Sequence, residues 1–430
     1  MPPSPQCHVI PDEEFTSRRL SGALRLATDS NVFSISASSV RIFASILTAA
    51  SPARAIPNYQ RPSAHHHHHG ASMLEIHCTG TPYEIGQQHG RAAKAQVHGS
   101  IAFYAAHFAA TAGLDWPQAC RVAATQFAAT IAARWPAYLE ELRGVADGAG
   151  VALDAVLALN VRTEIAFGLL RDDAPMDGCT TLAWRVPSSS GGGAGASWLA
   201  QNWDWSEPQK DQLVCLSIVQ PGKPAIKMVT EAGIIGKIGM NEHGVGCCLN
   251  AIKARGIDGT RMPVHLALRT VLESSSAKEA EAKLREVGVA SACSIGIADA
   301  EEGGFALECS YKGFGKVERD QKGRMVHSNH WLIKQDGVTD LTSPGDTLVR
   351  VVRIKELADE IKGEPSFEKL FDIFKDEKGH PGSICRSVGG SSTSATLFNI
   401  VMELKSRRAM VSLGKPTKPD ETFWLEFTPN

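Results

Sequence analysis

Two strand-forming runs flank a stretch with nothing to bury, and this arrangement constrains the fold more than any other feature. "TTLAWRV" (180–186) and "SWLAQNWDW" (197–205) are rich in β-branched and aromatic residues, with "PSSSGGGAGA" between them. Such runs joined by a flexible connector read as an antiparallel hairpin. Symmetric pairing about a loop centred between Gly191 and Gly192 places Cys179 opposite Asp204. Directly opposed residues have Cβ atoms roughly 4.5 to 5.5 Å apart, so the hairpin predicts a thiol beside a carboxylate. Gly178 precedes the thiol and permits backbone conformations and close approaches closed to other residues. Asp177-Gly178-Cys179 alone is equally an ordinary turn.

Before Cys179 the texture is helical. "MLEIHCTG" alternates like a short strand, and "GTPYEIGQQHG" then supplies Thr81 as N-cap, Pro82 at the first helical position and Glu84 to close a capping box. Asp115-Trp116-Pro117-Gln118 repeats the device ahead of an alanine-rich pattern predicted to run as helix until Gly148 and Gly150, and another helix is predicted over 153–167. After Cys179 the texture changes. Strands are predicted in "LVCLSIVQ", "AIKMVTEAG", "IGKIGMNEHGVGCCLN", "CSIGIADAEEGGFALEC", "ATLFNIVMELKSRRAMVSLG" and "TFWLEFTP", with two helices in "RMPVHLALRTVLESSSAKEAEAKLREVG". Strands, then helices, then strands favour antiparallel sheets with helices outside over a doubly wound parallel sheet.

Composition narrows the function classes. A formal net charge of −2 on 430 residues leaves no basic stripe for nucleic acid and no strong field toward a membrane surface. No apolar run approaches the roughly 18 residues of a membrane span. The ten cysteines form no C-x-x-C pair, which argues against a zinc ribbon and for a reducing compartment. Residues 1–72 read differently. Arg18, Arg19, Arg25, Arg41, Arg54 and Arg61 stand among serines and alanines with Asp29 as the only acid from 16 to 61, the composition of an organellar transit peptide, and equally of an upstream gene-model extension. His65 to His69 followed by "GASM" resembles a tag joined to a start at Met73.

The familiar nucleophile and nucleotide motifs are missing. G-x-S-x-G, the P-loop and the dinucleotide fingerprint are all absent. In "HSNH" (327–330) no carboxylate or cysteine at ligand spacing joins the histidines, so no metal is expected. Cys247 and Cys248 read as buried strand residues.

Nine colinear segments carry a resemblance: "GTPYEIGQQHG", "RWPAYLEELRG", "RTEIAFGL", "DGCTT", "QNWDW", "TEAGIIGKIGMNEHGV", "GRMVHSNH", "SICR" and "ATLFNI". From Met73 onward the chain resembles the fungal acyl-CoA:6-aminopenicillanic acid acyltransferases, also called isopenicillin N acyltransferases. Members of that family are similar to penicillin V acylases and belong to the N-terminal nucleophile (Ntn) hydrolases. The resemblance implies an α+β fold, a four-layer α-β-β-α sandwich of two antiparallel sheets. It implies an inactive precursor that cuts itself between Gly178 and Cys179. It also implies a division into an extension (1–72), a mostly helical α-subunit segment (73–178) and a β-subunit (179–430) that stay together as a heterodimer.

Cleavage there would leave one residue with both thiol and α-amine. A free α-amine has a pKa of roughly 7.7 to 8.0, near the optimum for a general base at neutral pH. Carried over by motif, Cys179 is the nucleophile, Asp204 orients its amine and thiol, Asn329 is an amide donor to the tetrahedral oxyanion, and Arg386 balances Asp204 or binds a substrate carboxylate. Asn250 is a weaker candidate for lining the site, and Thr181 for assisting cleavage through its hydroxyl. The implied partners are a small-molecule acyl donor and an amine acceptor, with acyl-CoA as a possible co-substrate and no other cofactor, metal, nucleic acid or membrane.

The chain departs from the pattern at three places. Cys248-Leu249-Asn250 stands where relatives tend to have Asn-Tyr-Asn, which puts the substrate in question. The C-terminal "EFTPN" lacks the peroxisomal tripeptide, so a cytoplasmic location is favoured over a peroxisomal one, with organellar import through 1–61 left open. The Gly-rich connector is longer than usual. Two other readings stay open: a self-cleaving but catalytically inert relative, and a single-chain Cys/His hydrolase with His330 or His243 as base.

Overall fold

The computed structural model describes residues 72–169, 178–187, 195–342, 345–390 and 392–427. The extension up to residue 71, the segment 170–177 with Asp177, and the Gly-rich connection 188–194 lie outside the described residues.

The chain enters as strand β1 (Leu74–Thr79) and turns into helix α1 (Pro82–Ala92), whose start follows from its caps. Thr81 N–H donates to Glu84 Oε2 at 2.8 Å and Glu84 N–H to Thr81 Oγ1 at 3.4 Å, which satisfies two of the orphan donors of a helix N-terminus. Helix α2 (Lys94–Thr111) follows. The predicted long alanine-rich helix is three pieces: α3 (Trp116–Ala123), a π turn at Ala124–Ala128 leading into α4 (Ala129–Arg134), and α5 (Pro136–Ala149). The second break has a local cause, because the ring of Pro136 disfavours helical geometry at Trp135, which sits at φ −135°, ψ 56°. The helix predicted over 153–167 stops early as α6 (Leu153–Asn160) and resumes as a π turn, Glu164–Gly168. Helices α1 and α5 pack backbone to backbone. A Cβ on Gly86 would lie 1.9 Å from the Glu141 carbonyl oxygen and one on Gly144 2.1 Å from that of Tyr83, so only glycine permits this approach.

Past the described gap come β2 (Cys179–Arg185), β3 (Ser197–Trp205), β4 (Leu213–Val219), β5 (Ile226–Glu231), β6 (Ile238–Asn241), β7 (Gly246–Ala251) and the short β8 (Ala254–Arg255). Helices α7 (Val264–Leu272) and α8 (Ala277–Val287) are the predicted interrupted pair. Then follow β9 (Cys293–Asp299), β10 (Gly303–Cys309), β11 (Phe314–Val317), β12 (Arg324–His327) and β13 (Thr339–Asp340). Two helices absent from the sequence-based expectation, α9 (Asp346–Glu360) and α10 (Phe367–Ile373), precede β14 (Ala395–Glu403), β15 (Arg408–Lys415) and β16 (Lys418–Glu426).

The strands form two large sheets, β1-β4-β5-β6-β7-β9-β10-β11 and β12-β2-β3-β14-β15-β16, with a separate β8-β13 ladder. All pairs are antiparallel except β1 with β4. This edge is a correction to two purely antiparallel sheets: the chain returns to β1 only after its whole helical segment, and a crossover that long accommodates a parallel pair. Strands β2 and β3 pack on β7, β9 and β10, α7 and α8 lie on β6, β7 and β9, and α9 and α10 lie on β2, β12 and β14. The order of layers is therefore helix, sheet, sheet, helix. It buries β3 on both faces: Leu199 and Trp203 point into the core between the sheets, while Trp198 and Ala200 meet Val351, Ile354 and Leu370 under the outer helices.

Buried ion pairs join the segment before Cys179 to the segment after it. Arg269 of α7 donates to Glu141 of α5 at 2.8 Å and to Glu273 at 2.9 Å, and Arg162 grips Glu231 with Nε at 3.1 Å and Nη2 at 2.9 Å. Removing one partner of such a pair strands a charge and costs about 3–5 kcal/mol. Arg269→Met is therefore expected to lower the urea-unfolding free energy by about that much. A loss indistinguishable from zero would show that α5 and α7 are held by packing alone.

Candidate active site

Cys179 opens β2, and its partner across the ladder is Trp203, not the predicted Asp204. The symmetric loop centre was wrong by half a residue, and in a strand a one-residue slip moves side chains to the other face. Cys179 and Trp203 thus share the inner face, where they line a pocket with Arg162, Phe167, Trp205 and Leu249. Asp204 points to the outer face, toward Thr396 and Arg386. The thiol and the carboxylate nevertheless meet at one peptide unit. Asp204 N–H donates to the Gly178 carbonyl at 3.1 Å, and a Cβ on Gly178 would lie 2.7 Å from Asp204 Oδ2 and 2.8 Å from Arg386 Nη1.

The other end of that peptide bond is also held. Asn329, just after β12, accepts the Cys179 N–H on Oδ1 at 2.8 Å and donates from Nδ2 to the Ala251 carbonyl at 3.0 Å. Its orientation is unambiguous because Arg350, which has only donors, also gives Nη2–H to that Oδ1 at 2.9 Å. The same guanidinium donates Nη1–H to the Cys179 carbonyl and, at 3.1 Å, to Thr180 Oγ1. Two further anchors hold the Asn329 loop. Thr347 Oγ1 accepts the Asn329 N–H at 2.8 Å, and the buried Glu308 accepts from Leu332 N–H at 2.7 Å, from Ile333 N–H at 3.0 Å, and contacts His327 Nε2 at 2.8 Å.

Arg386 does not pair directly with Asp204. Its Nη1 is ion-paired with Asp346, and its link to Asp204 runs through Thr396, whose hydroxyl accepts Arg386 N–H at 2.9 Å and donates to Asp204 Oδ1 at 2.7 Å. Asp346 also faces Arg350, 3.6 Å off, and so serves two cations. Asp204 itself is fully buried and its Oδ2 has no hydrogen-bond partner. Burial pushes its carboxyl up to about 7 against the opposing pull of Arg386, Arg350 and Thr396.

On the inner face Thr181 Oγ1 donates to Asn250 Oδ1 at 2.7 Å and accepts from Gln201 Nε2 at 2.8 Å. That leaves the buried Asn250 Nδ2 without a partner. Lys237 lies over the Trp203 ring at 4.0 Å and is ion-paired with Glu231. Burial and Arg162 press the Lys237 ammonium down to about 7. Burial alone would raise Glu231, but Arg162 and Lys237 hold it at about 2. The two alternative bases are not gathered here: His243 is exposed in the β6–β7 turn, and the bonds of His330 run to Thr347 Oγ1 at 2.9 Å and Ser328 Oγ at 3.3 Å.

The structure thus gathers Gly178, Cys179, Asp204, Asn329 and Arg386 around one bond, with Thr181 and Asn250 beside it. Sequence reasoning missed Arg350, Asp346, Thr396 and Lys237. For the first two a signal existed: in "DTLVRVVRIKELADE" the buried positions 347, 350, 351, 354 and 358 have helical spacing, and an arginine stands on the buried stripe.

The chain is an α+β protein, a helix-sheet-sheet-helix sandwich with a cysteine at the head of an inner strand, the layer order that the motif resemblance implies. The family profile of acyl-coenzyme A:6-aminopenicillanic acid acyl-transferase matches residues 191–418, and the 40 kDa form of that acyltransferase from Emericella nidulans is 38% identical over 366 residues, covering 83% of this chain and 97% of that one. The chain belongs to the acyl-coenzyme A:6-aminopenicillanic acid acyltransferase family. Solved structures resemble it more distantly. A Caenorhabditis elegans N-acylethanolamine-hydrolyzing acid amidase ortholog is 16% identical, covering 53% of this chain and 93% of that one with a TM-score of 0.39. A mutant of the conjugated bile acid hydrolase from Clostridium perfringens is 15% identical, covering 58% and 92% with a TM-score of 0.40. Among the described residues no helix is long and apolar enough to cross a membrane.

Proposed function

We propose that this chain is a precursor that cuts its own Gly178-Cys179 bond and then works as a thiol acyltransferase or amidohydrolase through an acyl-Cys179 intermediate. The observation that carries the proposal is the grip on that one bond: carbonyl on Asp204 N–H, amide N–H on Asn329 Oδ1, and Gly178 enclosed by Asp204 and Arg386. In the first step Cys179 Sγ attacks the Gly178 carbonyl carbon, and the thiol proton leaves sulfur. The oxyanion forms where Asp204 N–H already points, and a donor so placed is worth about 2.7–4 kcal/mol. The C–N bond then breaks, the Cys179 nitrogen takes a proton, and a thioester remains. Water hydrolyses it to a Gly178 carboxylate and a free Cys179 thiol and amine. Residues 73–178 and 179–430 become two subunits, held by Arg162-Glu231 and Arg269-Glu141.

In turnover the α-amine takes the thiol proton and sulfur attacks the acyl donor. The unpartnered Asn250 Nδ2 donates to the oxyanion, and the amine returns the proton to the departing amine or thiol. An acceptor amine or water then releases the acyl group. By kinship the donor is an acyl-CoA or an amide and the acceptor an amine like 6-aminopenicillanic acid. The thiol, amine, carboxylate and amide donors this route needs all come from the chain.

The test is denaturing electrophoresis of the purified protein with sequencing of the smaller pieces. Two fragments are expected, the second beginning Cys-Thr-Thr, and an acyl adduct on that peptide after incubation with acyl-CoA. An intact chain would overturn the proposal. Gly178→Ala is expected to slow cutting about 100-fold, because displacing the carbonyl by about 1 Å to relieve the contacts with Asp204 and Arg386 has a cost of that order. Band densitometry over time measures it, and cutting at the wild-type rate would contradict the enclosed geometry.

A further inference from the structure

We infer that Arg350 is a positioning residue that keeps the α-amine freed at Cys179 in its neutral, proton-accepting form and holds the Asn329 carbonyl toward that nitrogen. The inference rests on the self-cleavage proposed above and extends it to a residue with no assigned role. Two donors reach the same oxygen: Cys179 N at 2.8 Å and Arg350 Nη2 at 2.9 Å from Asn329 Oδ1. They are therefore close neighbours, and the guanidinium is tied to the same residue again through the Cys179 carbonyl. In the precursor this costs nothing electrostatically, since an amide nitrogen carries no charge. After cleavage the nitrogen becomes an amine that can bind a proton, and it does so beside a buried, permanently charged cation.

A like charge within about 4–6 Å disfavours the protonated form, so the amine is held below its ordinary range. The other ionisable groups around this nitrogen come from every packed element. Asp204 of β3 and Asp346 of α9 favour protonation, whereas Arg386, beside Gly178, and Lys237, over Trp203, oppose it, and Arg162, which lines the Cys179 pocket, is paired with Glu231. Cys248 of β7 is a buried thiol, pushed well above its ordinary value by burial, and is neutral. Arg350 differs from them all in sharing a hydrogen-bond acceptor with the amine. It also fixes which end of the Asn329 amide faces that amine, because a guanidinium cannot accept a hydrogen bond and so excludes the flipped rotamer. Neutrality and orientation are both conditions for a general base.

The sign follows directly. Without the cation the amine holds its proton to higher pH, so the base form is lost at neutral pH and recovered in alkali. A purely structural role would depress activity equally at all pH values. The experiment reads the amine itself. In cleaved protein with Cys179 Sγ capped as the methyl disulfide, pulse labelling with acetic anhydride at graded pH is followed by mass of the Cys179 peptide. Arg350→Gln is expected to raise the pH of half-labelling by about 1–3 units, while Arg350→Lys, which keeps the charge, leaves it in place. Asp346→Asn removes a carboxylate that itself favours protonation and is expected to lower it with or without Arg350, so if Arg350→Gln stays uncut the decision falls to Arg350→His, which is neutral where the amine titrates and is expected to raise the midpoint relative to Arg350→Lys. An unmoved midpoint in Arg350→Gln, or one in Arg350→His equal to that of Arg350→Lys, overturns the role of Arg350 alone. A wild-type protein with no labelled amine at Cys179 overturns the self-cleavage as well.

Discussion

Cys179→Ala is expected to yield a single uncut polypeptide with no detectable acyl transfer. Deleting a nucleophile that acts as a unit with its base removes on the order of a millionfold in turnover. Here the loss is doubled in kind, because the same sulfur both opens the Gly178-Cys179 bond and later carries the acyl group. The fold should survive: Cys179 is buried at the head of β2, and alanine removes one atom without adding bulk or charge. Circular dichroism and the thermal midpoint would then match those of the uncut precursor, while electrophoresis shows one band. Cys179→Ser offers an internal control, since a hydroxyl is a far weaker nucleophile at neutral pH and should cut slowly rather than never. Cutting at an unchanged position and rate in the alanine variant would mean that the bond is opened by something other than this thiol.

What was legible in the sequence divides along the range of the interactions. The capping boxes at Thr81 and Asp115, the hairpin of β2 and β3 and the helix pair α7 and α8 depend on neighbours within a few residues, and they stand where local chemistry put them. The register of that hairpin depends on one residue of connector length, and symmetry alone could not supply it. The geometry of the site is longer in range still. Arg350 reaches Cys179 across 171 positions of sequence and Thr396 reaches Asp204 across 192, and no periodicity encodes such meetings. Motif resemblance found the residues that meet at the bond but not how they face one another. Asn329 turns its carbonyl to Cys179 N and its amide donor to the Ala251 carbonyl, and Arg386 is ion-paired with Asp346 while acting on Asp204 through space. The helix carrying Arg350 was overlooked because its buried stripe is interrupted by that arginine, a residue that reads as surface until its carbonyl and amide partners are known.

Asp204→Asn is expected to separate stability from function. A buried carboxyl raised from 3.8 to about 7 binds its proton more tightly in the folded than in the unfolded chain, chiefly because burial penalises the charge. The folded state then holds the extra proton between these two values, so the stability linked to Asp204 is fully present below the lower one and is lost as pH rises through the upper one. The total is about 4 kcal/mol. Asparagine does not titrate and removes this dependence. In uncut Cys179→Ala protein, the double variant is therefore expected to gain stability relative to the single variant as pH rises from 5 to 8, by about 2.6 kcal/mol in urea unfolding, the rest of the total having been lost between pH 3.8 and 5. In the Cys179 protein the same substitution is expected to slow cutting by about 100-fold. The reason is positional: the oxygen that takes the Thr396 hydroxyl and the backbone N–H that holds the Gly178 carbonyl belong to one residue, and shifting either moves the other. A stability difference that stays flat from pH 5 to 8 would mean that Asp204 is charged throughout that range, stabilised by Arg386 and Arg350 more strongly than burial opposes it.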